Sequence, residues 1–385
     1  MHEIHTSERR SARGCRRRWN WAYREGYVPQ ETAKPLEFGI AFHEAMDVFF
    51  TPETWETNST AEKLQAAIDV FTKTCDEQRS HYLEVTNQRE LEVAAGDDYE
   101  ERIKLGVGML THFANEIHPK ANGWFKPIAT EIPFEVQLFD ENDNPLQCTN
   151  SPQCGQIHEN HGDDSLVFFA GRVDMLVEDI LNGGYFVWDH KTAYSLSPDD
   201  GFLQLDDQVG SYCWALGSVL GIDIRGFVYA EYRKGYPLPP EPLKRLSGGR
   251  SFSTGKAQAT SLEVFQNHVK EFDADAYNNG CYDEFLTWLR EEGPRYQQRF
   301  IIIKSDRELY EIGRNISLEA QDMTDPNLRI YPSVGRYGCA NCAYRQPCVA
   351  QFQGEDYLYT LESLFTKVEH RYYHNQAIAK GDGPK

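Results

Sequence analysis

The sequence predicts an α/β fold, a mixed β-sheet flanked by helices. Three observations carry that prediction. Helical apolar spacing dominates the first third of the chain. The spacing then switches to alternation near residue 128, and after that strands and helices take turns along the chain.

The elements follow in order. Residues 37–50 read as a helix, with Phe42, Met46, Phe49 and Phe50 near helical spacing. Residues 60–92 and 97–118 carry long helical patterns, so 60–118 is expected to be a helical insertion. Residues 128–139 alternate, placing Ile132, Phe134, Val136 and Leu138 on one face of a strand. The acidic, turn-rich residues 140–165 read as an excursion from a hairpin. Two strands, 166–179 and 185–191, are then joined by the turn Leu181, Asn182, Gly183 and Gly184. Residues 206–220 predict a helix and 226–232 a strand. Pro237, Pro239, Pro240 and Pro242 predict a loop, and 246–260, rich in Gly and Ser, a mobile one. Helix over 261–290, strand over 299–304 and helix over 305–323 complete the set. A cysteine-bearing loop over 331–350 follows, and the whole chain, 1–385, is expected to be a single domain.

Composition narrows the function classes. A net charge of −20 argues against a protein that coats nucleic acid. The charge is unevenly spread, however. Arg9, Arg10, Arg13, Arg16, Arg17, Arg18 and Arg24 face only Glu3 and Glu8 in the first 24 residues, which reads either as a solvated basic arm or as a guide for DNA. No run of about 18 apolar residues occurs, so no membrane span is expected. The polar start lacks the apolar segment of a secretory signal, and Glu3 and Glu8 weaken a transit-peptide reading. A cytoplasmic location is therefore expected. Nine cysteines in a chain of this size suit metal binding better than disulfides. Of these, Cys75, Cys213 and Cys281 read as buried free thiols.

The chemistry concentrates in Gly171–Arg172–Val173–Asp174 and Asp189–His190–Lys191. Strand alternation projects Asp189 and Lys191 from one face and turns His190 away, and a hairpin brings Asp174 beside them. Two adjacent carboxylates repel unless a cation lies between them, and hard oxygen ligands suit Mg²⁺ or Mn²⁺. Lys191 adds a positive charge able to orient a water or stabilise a phosphate in the transition state. A bare D-x-K is a weak signal, and for the tripeptide alone a surface ion pair on an edge strand is the better reading. Gln208 and Tyr212 follow at i and i+4 of a predicted helix, and His43 lies upstream. Each alone reads as an ordinary helical residue.

In this order the motifs resemble the RecB-like branch of the PD-(D/E)XK nucleases, which carries a helical His, then G-x-x-D, D-x-K and Q-x-x-x-Y. The resemblance implies a restriction-endonuclease-like core with His43, Asp174 and Asp189 as metal ligands and the backbone carbonyl of His190 as a further one. Lys191 would be the catalytic lysine, with Gln208 and Tyr212 touching DNA or supporting the site. Glu131 is a further candidate ligand. The implied activity is metal-dependent hydrolysis of DNA by an exonuclease acting on single-stranded ends, with DNA processing, recombination or repair as setting. A helicase, a recombination protein or an integrase would be the partner. The rival reading is a non-catalytic DNA-end-binding subunit or adaptor of a helicase or CRISPR-adaptation complex. No Walker A motif is present, so this sequence holds no helicase motor.

Cys339, Cys342 and Cys348 form C-x2-C-x5-C, and Cys15 is the best fourth donor. Spacing alone leaves zinc and iron–sulfur open. Iron–sulfur members of the RecB-like nucleases, among them the AddB nuclease domain and CRISPR-associated RecB-like exonucleases, place one cysteine before the core and three after it. The resemblance thus implies a 4Fe–4S cluster stapling the two ends, its charge offset by Arg13, Arg16, Arg17 and Arg18. Cys148, Cys154, His158 and His161 form a second candidate cluster, for zinc, against the reading of a flexible polar loop.

Overall fold

The computed structural model describes residues 2–30, 34–86, 92–118, 123–148 and 166–368. Its strands are β1 (His2–Ile4), β2 (Tyr27–Pro29), β3 (Phe125–Gln137), β4 (Val167–Asp179), β5 (Tyr185–Ala193), β6 (Ile224–Arg233), β7 (Pro242–Ser247), β8 (Arg250–Phe252), β9 (Gln297–Ile303) and β10 (Phe365–Lys367). Six of them form a mixed sheet in the order β1-β4-β5-β6-β9, with β3 also paired to β4. β3 runs antiparallel along one edge of β4. The other edge is shared, parallel to β1 at Val167–Phe169 and antiparallel to β5 at Met175–Glu178. β5 and β6 are parallel, so the chain must cross over between them, and it does so through the helix Asp207–Leu220.

Helices cover both faces. On one, Asp207–Leu220 and Asp306–Thr324 pack Val209, Cys213, Leu216 and Ile316 against Val173, Val187 and Phe227. On the other, Lys34–Phe49, Thr60–Thr86 and Glu92–His112 pack Phe42, Met46, Phe71 and Leu110 against Met175, Trp188 and Val228. Ile132, Phe134, Val136 and Leu138 share the first core, as their alternation predicts. Along β4, Val173 joins the first core whereas Met175 and Val177 join the second. The alternation therefore breaks at Asp174. Directly across, between the pairs Thr130–Met175 and Ile132–Val173, Glu131 takes a left-handed φ of 49°.

Four expectations are corrected. The Arg-rich start is not a solvated arm: it is a strand and a helix, Thr6–Gly14, docked on the first face. Arg9 is 2% exposed, 3.0 Å from Asp207 and 2.7 Å from Glu319, and Arg13 reaches the same two acids at 2.8 and 3.2 Å. Residues 242–252 form a hairpin, because Gly248 and Gly249 take φ of 58° and 74° and make the two-residue turn that β-strands favour. The single helix expected over 261–290 is broken into Leu262–Phe272, Ala274–Asn278 and Asp283–Glu291, with Gly280 at φ 73° marking the second break. Cys75 and Cys213 are buried as expected, but Cys281 is half-buried. No helix among the described residues is long and apolar enough to cross a membrane.

The buried His118 should contribute to acid sensitivity of the fold. The His118 ring lies edge-on to Phe49 at 4.9 Å and to Trp55 at 5.2 Å. Burial, with Lys63 and Arg299 nearby, pushes its pKa from 6.5 down to about 4. As pH falls the unfolded chain binds this proton first. Stability is thus fully present above the unfolded pKa and is lost as pH drops toward the folded one. Between pH 7 and pH 5 this group should cost about 2 kcal/mol. Urea unfolding of wild type and His118→Phe at both pH values checks it: an identical loss in the two proteins would clear His118 of the effect.

Candidate active site

The site forms where β4 and β5 separate. Their antiparallel pairing stops at Met175–Trp188, and the next two residues are Asp174 and Asp189. A strand that leaves its partner exposes backbone donors that need new acceptors. Asp174 supplies one, its Oδ2 accepting from the His190 backbone N–H at 2.9 Å. On β5 the pleat projects Asp189 and Lys191 together, and Lys191 Nζ lies 2.8 Å from both Asp189 oxygens. It donates to Oδ1, while buried Oδ2 accepts no well-aligned hydrogen bond. The His190 ring points to the opposite face, where Nδ1 lies 3.0 Å from the Tyr232 hydroxyl and the ring stacks on Phe50.

Two helices complete the arrangement. Asp206 caps Asp207–Leu220 by accepting from the N–H groups of Gln208 and Val209. This fixes Gln208 in the first turn, where its Nε2 donates to Asp189 Oδ1 at 2.8 Å. Tyr212, one turn further, packs edge-on to Phe134 at 5.5 Å. From the other face, helix Lys34–Phe49 presents His43, whose Nδ1 is 3.1 Å from Asp174 Oδ2. Asp47 lies one turn beyond on the same helix face and, with Thr130 and Glu131, lines a small cleft against His43, Asp174 and His190. Glu131 is held by Arg172 at 3.0 Å.

Electrostatics separates the two carboxylates. Burial pushes Asp174 up, but His43 and Lys191 outweigh it and hold the acid well below the usual carboxylate range. Burial dominates at Asp189, and with the charge of Asp174 it raises that acid despite Lys191. Lys191 and His43 are each pushed down by burial and pulled further up by their acids, so both favour the charged form. Burial holds His190 down at about 3, so its ring is neutral. Two acids with divergent proton affinity beside a fixed ammonium and an imidazole suit acid–base and cation-assisted chemistry on an anionic substrate. The donor set of two carboxylates and one imidazole fits a hard divalent cation. Among the described residues, no group of three or more His, Cys, Asp or Glu side chains is gathered as a metal shell. These acids turn to protein donors instead.

His43, Asp174, Asp189, Lys191 and Gln208 are thus brought together, with Tyr212 behind them. The His190 side chain faces away, as alternation predicts. Asp47, Thr130 and Tyr232 are the neighbours that sequence reading missed. Asp47 was detectable, standing four residues after His43 on one helix; Thr130 and Tyr232 become neighbours only through strand register.

Cys342 and Cys348 lie at a second place, with Cys15 and Cys339 nearby but, among the described residues, not gathered with them as a metal shell. β2 and β10 pair, and Trp21, Tyr27, Tyr344, Leu361 and Phe365 form a small core against Cys342 and Cys348. The Ser333 N–H points at Cys15 Sγ at 3.4 Å, the Gly335 N–H at Cys339 Sγ at 3.5 Å, and Arg17 at Cys348 Sγ at 3.7 Å. Burial, and then the neighbouring Cys15 and Cys339, raise the Cys342 thiol, whereas Arg18 lowers it. Arg17 and Arg18 thus stand by the thiols, while Arg13 is committed to Asp207 and Glu319. Cys148 is buried in the first core, and Cys154, His158 and His161, its companions in the candidate zinc cluster, lie outside the described residues.

No curated protein matches this sequence. The family model of the PD-(D/E)XK nuclease superfamily, however, matches residues 6–349. Those bounds take in the mixed sheet apart from β1, both flanking layers of helices and the point where β4 and β5 separate. The chain belongs to the PD-(D/E)XK nuclease superfamily.

Proposed function

We propose that this protein is a divalent-metal-dependent DNA nuclease acting on single-stranded ends, with its reacting centre at Asp174, Asp189 and Lys191. The observation that carries the reading is the meeting of Asp174 and Asp189 at the end of strand pairing, one acid held by His43 and the other by Lys191. His43, Asp174, Asp189 and the backbone carbonyl of His190 would hold Mg²⁺ or Mn²⁺. A bound cation supplies charge neutralisation at the scissile phosphate and acidifies water. Lys191 places a fixed positive charge where phosphate charge develops, and Gln208 orients Asp189 through its amide. Tyr212 backs the site against the sheet. The intact acid–lysine set favours an enzyme over a non-catalytic adaptor.

The direct test incubates the protein with single- and double-stranded DNA, labelled at either end, with Mg²⁺, Mn²⁺ or chelator. Metal-dependent shortening of single strands is expected. Inert protein that still binds DNA ends would instead support the adaptor reading.

Cys15, Cys339, Cys342 and Cys348 would hold a 4Fe–4S cluster. Backbone N–H groups aimed at two of the sulfurs and an arginine at a third are the donors that anionic thiolates require, which supports the fit. Cys342→Ser should lose visible absorbance, iron and acid-labile sulfide together and lower the melting temperature. Stoichiometric zinc in a colourless wild-type protein would replace the cluster with a zinc site.

A further inference from the structure

We propose that a cavity beside the edge strand β9, distinct from the Asp174–Asp189 centre, binds the phosphate group of a nucleotide or of a DNA strand end. The cavity is about 530 Å³, within the size range of small-ligand sites, and lies between β9 and the helix Asp283–Glu291. Gln297 and Arg299 stand two residues apart on β9 and so project to one face, both lining it. Gln298, between them, also borders the cavity but sends its amide to Glu231.

Neither of the two donors makes a well-aligned hydrogen bond or an ion pair with a described residue. Gln297 Nε2 is buried without a hydrogen-bond partner. Its nearest acceptor is the Tyr232 hydroxyl, which it meets only weakly and which also engages the His190 ring. Arg299 is half-buried, with its guanidinium 5.2 Å from the Trp188 ring centre and no carboxylate paired to it. A desolvated guanidinium and an amide donor without acceptors are both unfavourable, and native proteins rarely leave such groups side by side. In this chain acids outnumber bases 59 to 39, so a carboxylate partner was readily available. Arg290 and Arg295 stand exposed at the mouth of the same cavity, likewise without an ion pair. Glu116 also lines it, with one carboxylate oxygen taken by Asn267, and so does Glu263. Three arginines and an amide N–H converging on one cavity match a phosphate, whose oxygens accept several charge-assisted hydrogen bonds at once.

The place of the cavity suits a nuclease. His190, Ala230 and Arg299 lie in register across β5, β6 and β9. Two strand spacings put the Arg299 backbone about 10 Å from that of His190. The identity of the phosphate's bearer rests on the nuclease reading; the anion site itself does not.

The test uses the full-length protein with chelator present, so that cleavage plays no part. Melting temperature and intrinsic tryptophan fluorescence are titrated with thymidine 5′-monophosphate and with 5′-phosphorylated and 5′-hydroxyl oligothymidylate. Wild type should bind a 5′-phosphorylated probe at least tenfold more tightly than the 5′-hydroxyl strand. Arg299→Met should abolish that preference. Without ligand, Arg299→Met should melt at or above the wild-type temperature, because it removes an uncompensated charge. Binding of the mononucleotide identifies a nucleotide site, and binding of the phosphorylated strand alone identifies a strand-end site. No preference in wild type, an equal preference in Arg299→Met, or a lower melting temperature of ligand-free Arg299→Met would each overturn the proposal. Cleavage that fails while phosphate binding persists would overturn the nuclease reading alone.

Discussion

Asp189→Asn and Lys191→Ala should each cut DNA hydrolysis by about 10³-fold while leaving the protein folded. The expectation comes from what each side chain touches. Asp189 is 1% exposed and is met by Lys191 and Gln208 at 2.8 Å. Asparagine keeps the shape and still accepts from both donors, so the local packing survives. What it lacks is the charge that would hold a cation and balance Lys191. Lys191→Ala leaves the acid in place with Gln208 but removes the only ammonium seen against it among the described residues. Single-turnover cleavage of end-labelled DNA reads the chemical step, and circular dichroism reads the fold. DNA binding by Asp189→Asn should be unchanged or tighter, since a negative charge near phosphate is gone. Cleavage within tenfold of wild type in either variant would remove that residue from the reacting set.

Arg9→Ala should destabilise the protein by about 3 kcal/mol, the low end for a broken buried ion pair. Arg9 is buried between Asp207 at the start of the crossover helix and Glu319 on Asp306–Thr324, with its guanidinium 5.5 Å from the Phe169 ring. It ties the first helix to two others on the same face. Its loss strands two acids, but Arg13 continues to reach both, which keeps the penalty from being larger. Arg13 is 45% exposed, so Arg13→Ala should cost only about 0–1 kcal/mol. Equilibrium urea unfolding separates the two. Equal losses in the variants would mean that burial does not set the strength of these pairs. Because Asp207 adjoins Gln208, Arg9→Ala should also loosen the site, seen as a fall in kcat that exceeds the loss of folded protein.

The elements of the site were legible in the sequence because local rules write them. Alternation in β5 put Asp189 and Lys191 on one face and His190 on the other, and the structure has them so. Helical spacing put Gln208 and Tyr212 on one face of Asp207–Leu220, toward Asp189 and Phe134. The cysteines at the two ends suggested that those ends meet, and β2 pairs with β10 beside Cys342 and Cys348. The Gly248–Gly249 hairpin was also local, but its signal was hidden in a stretch whose polar composition reads as a loop.

Long-range register supplied the rest. The sequence by itself determined the mixed α/β character, the strand carrying Asp189 and Lys191, and the order of the motifs, because periodicity and turn chemistry act over a few residues. Only the tertiary structure decided that β4 and β5 part at Asp174, that Glu131 adopts a left-handed backbone opposite it, and that Arg9 and Arg13 are held by Asp207 and Glu319. The same holds for Gln297 and Arg299, which line one cavity without a well-aligned hydrogen bond or an ion pair among the described residues. Each of those facts depends on which backbone or charge arrives alongside, and that is settled by sheet register and helix docking rather than by local sequence.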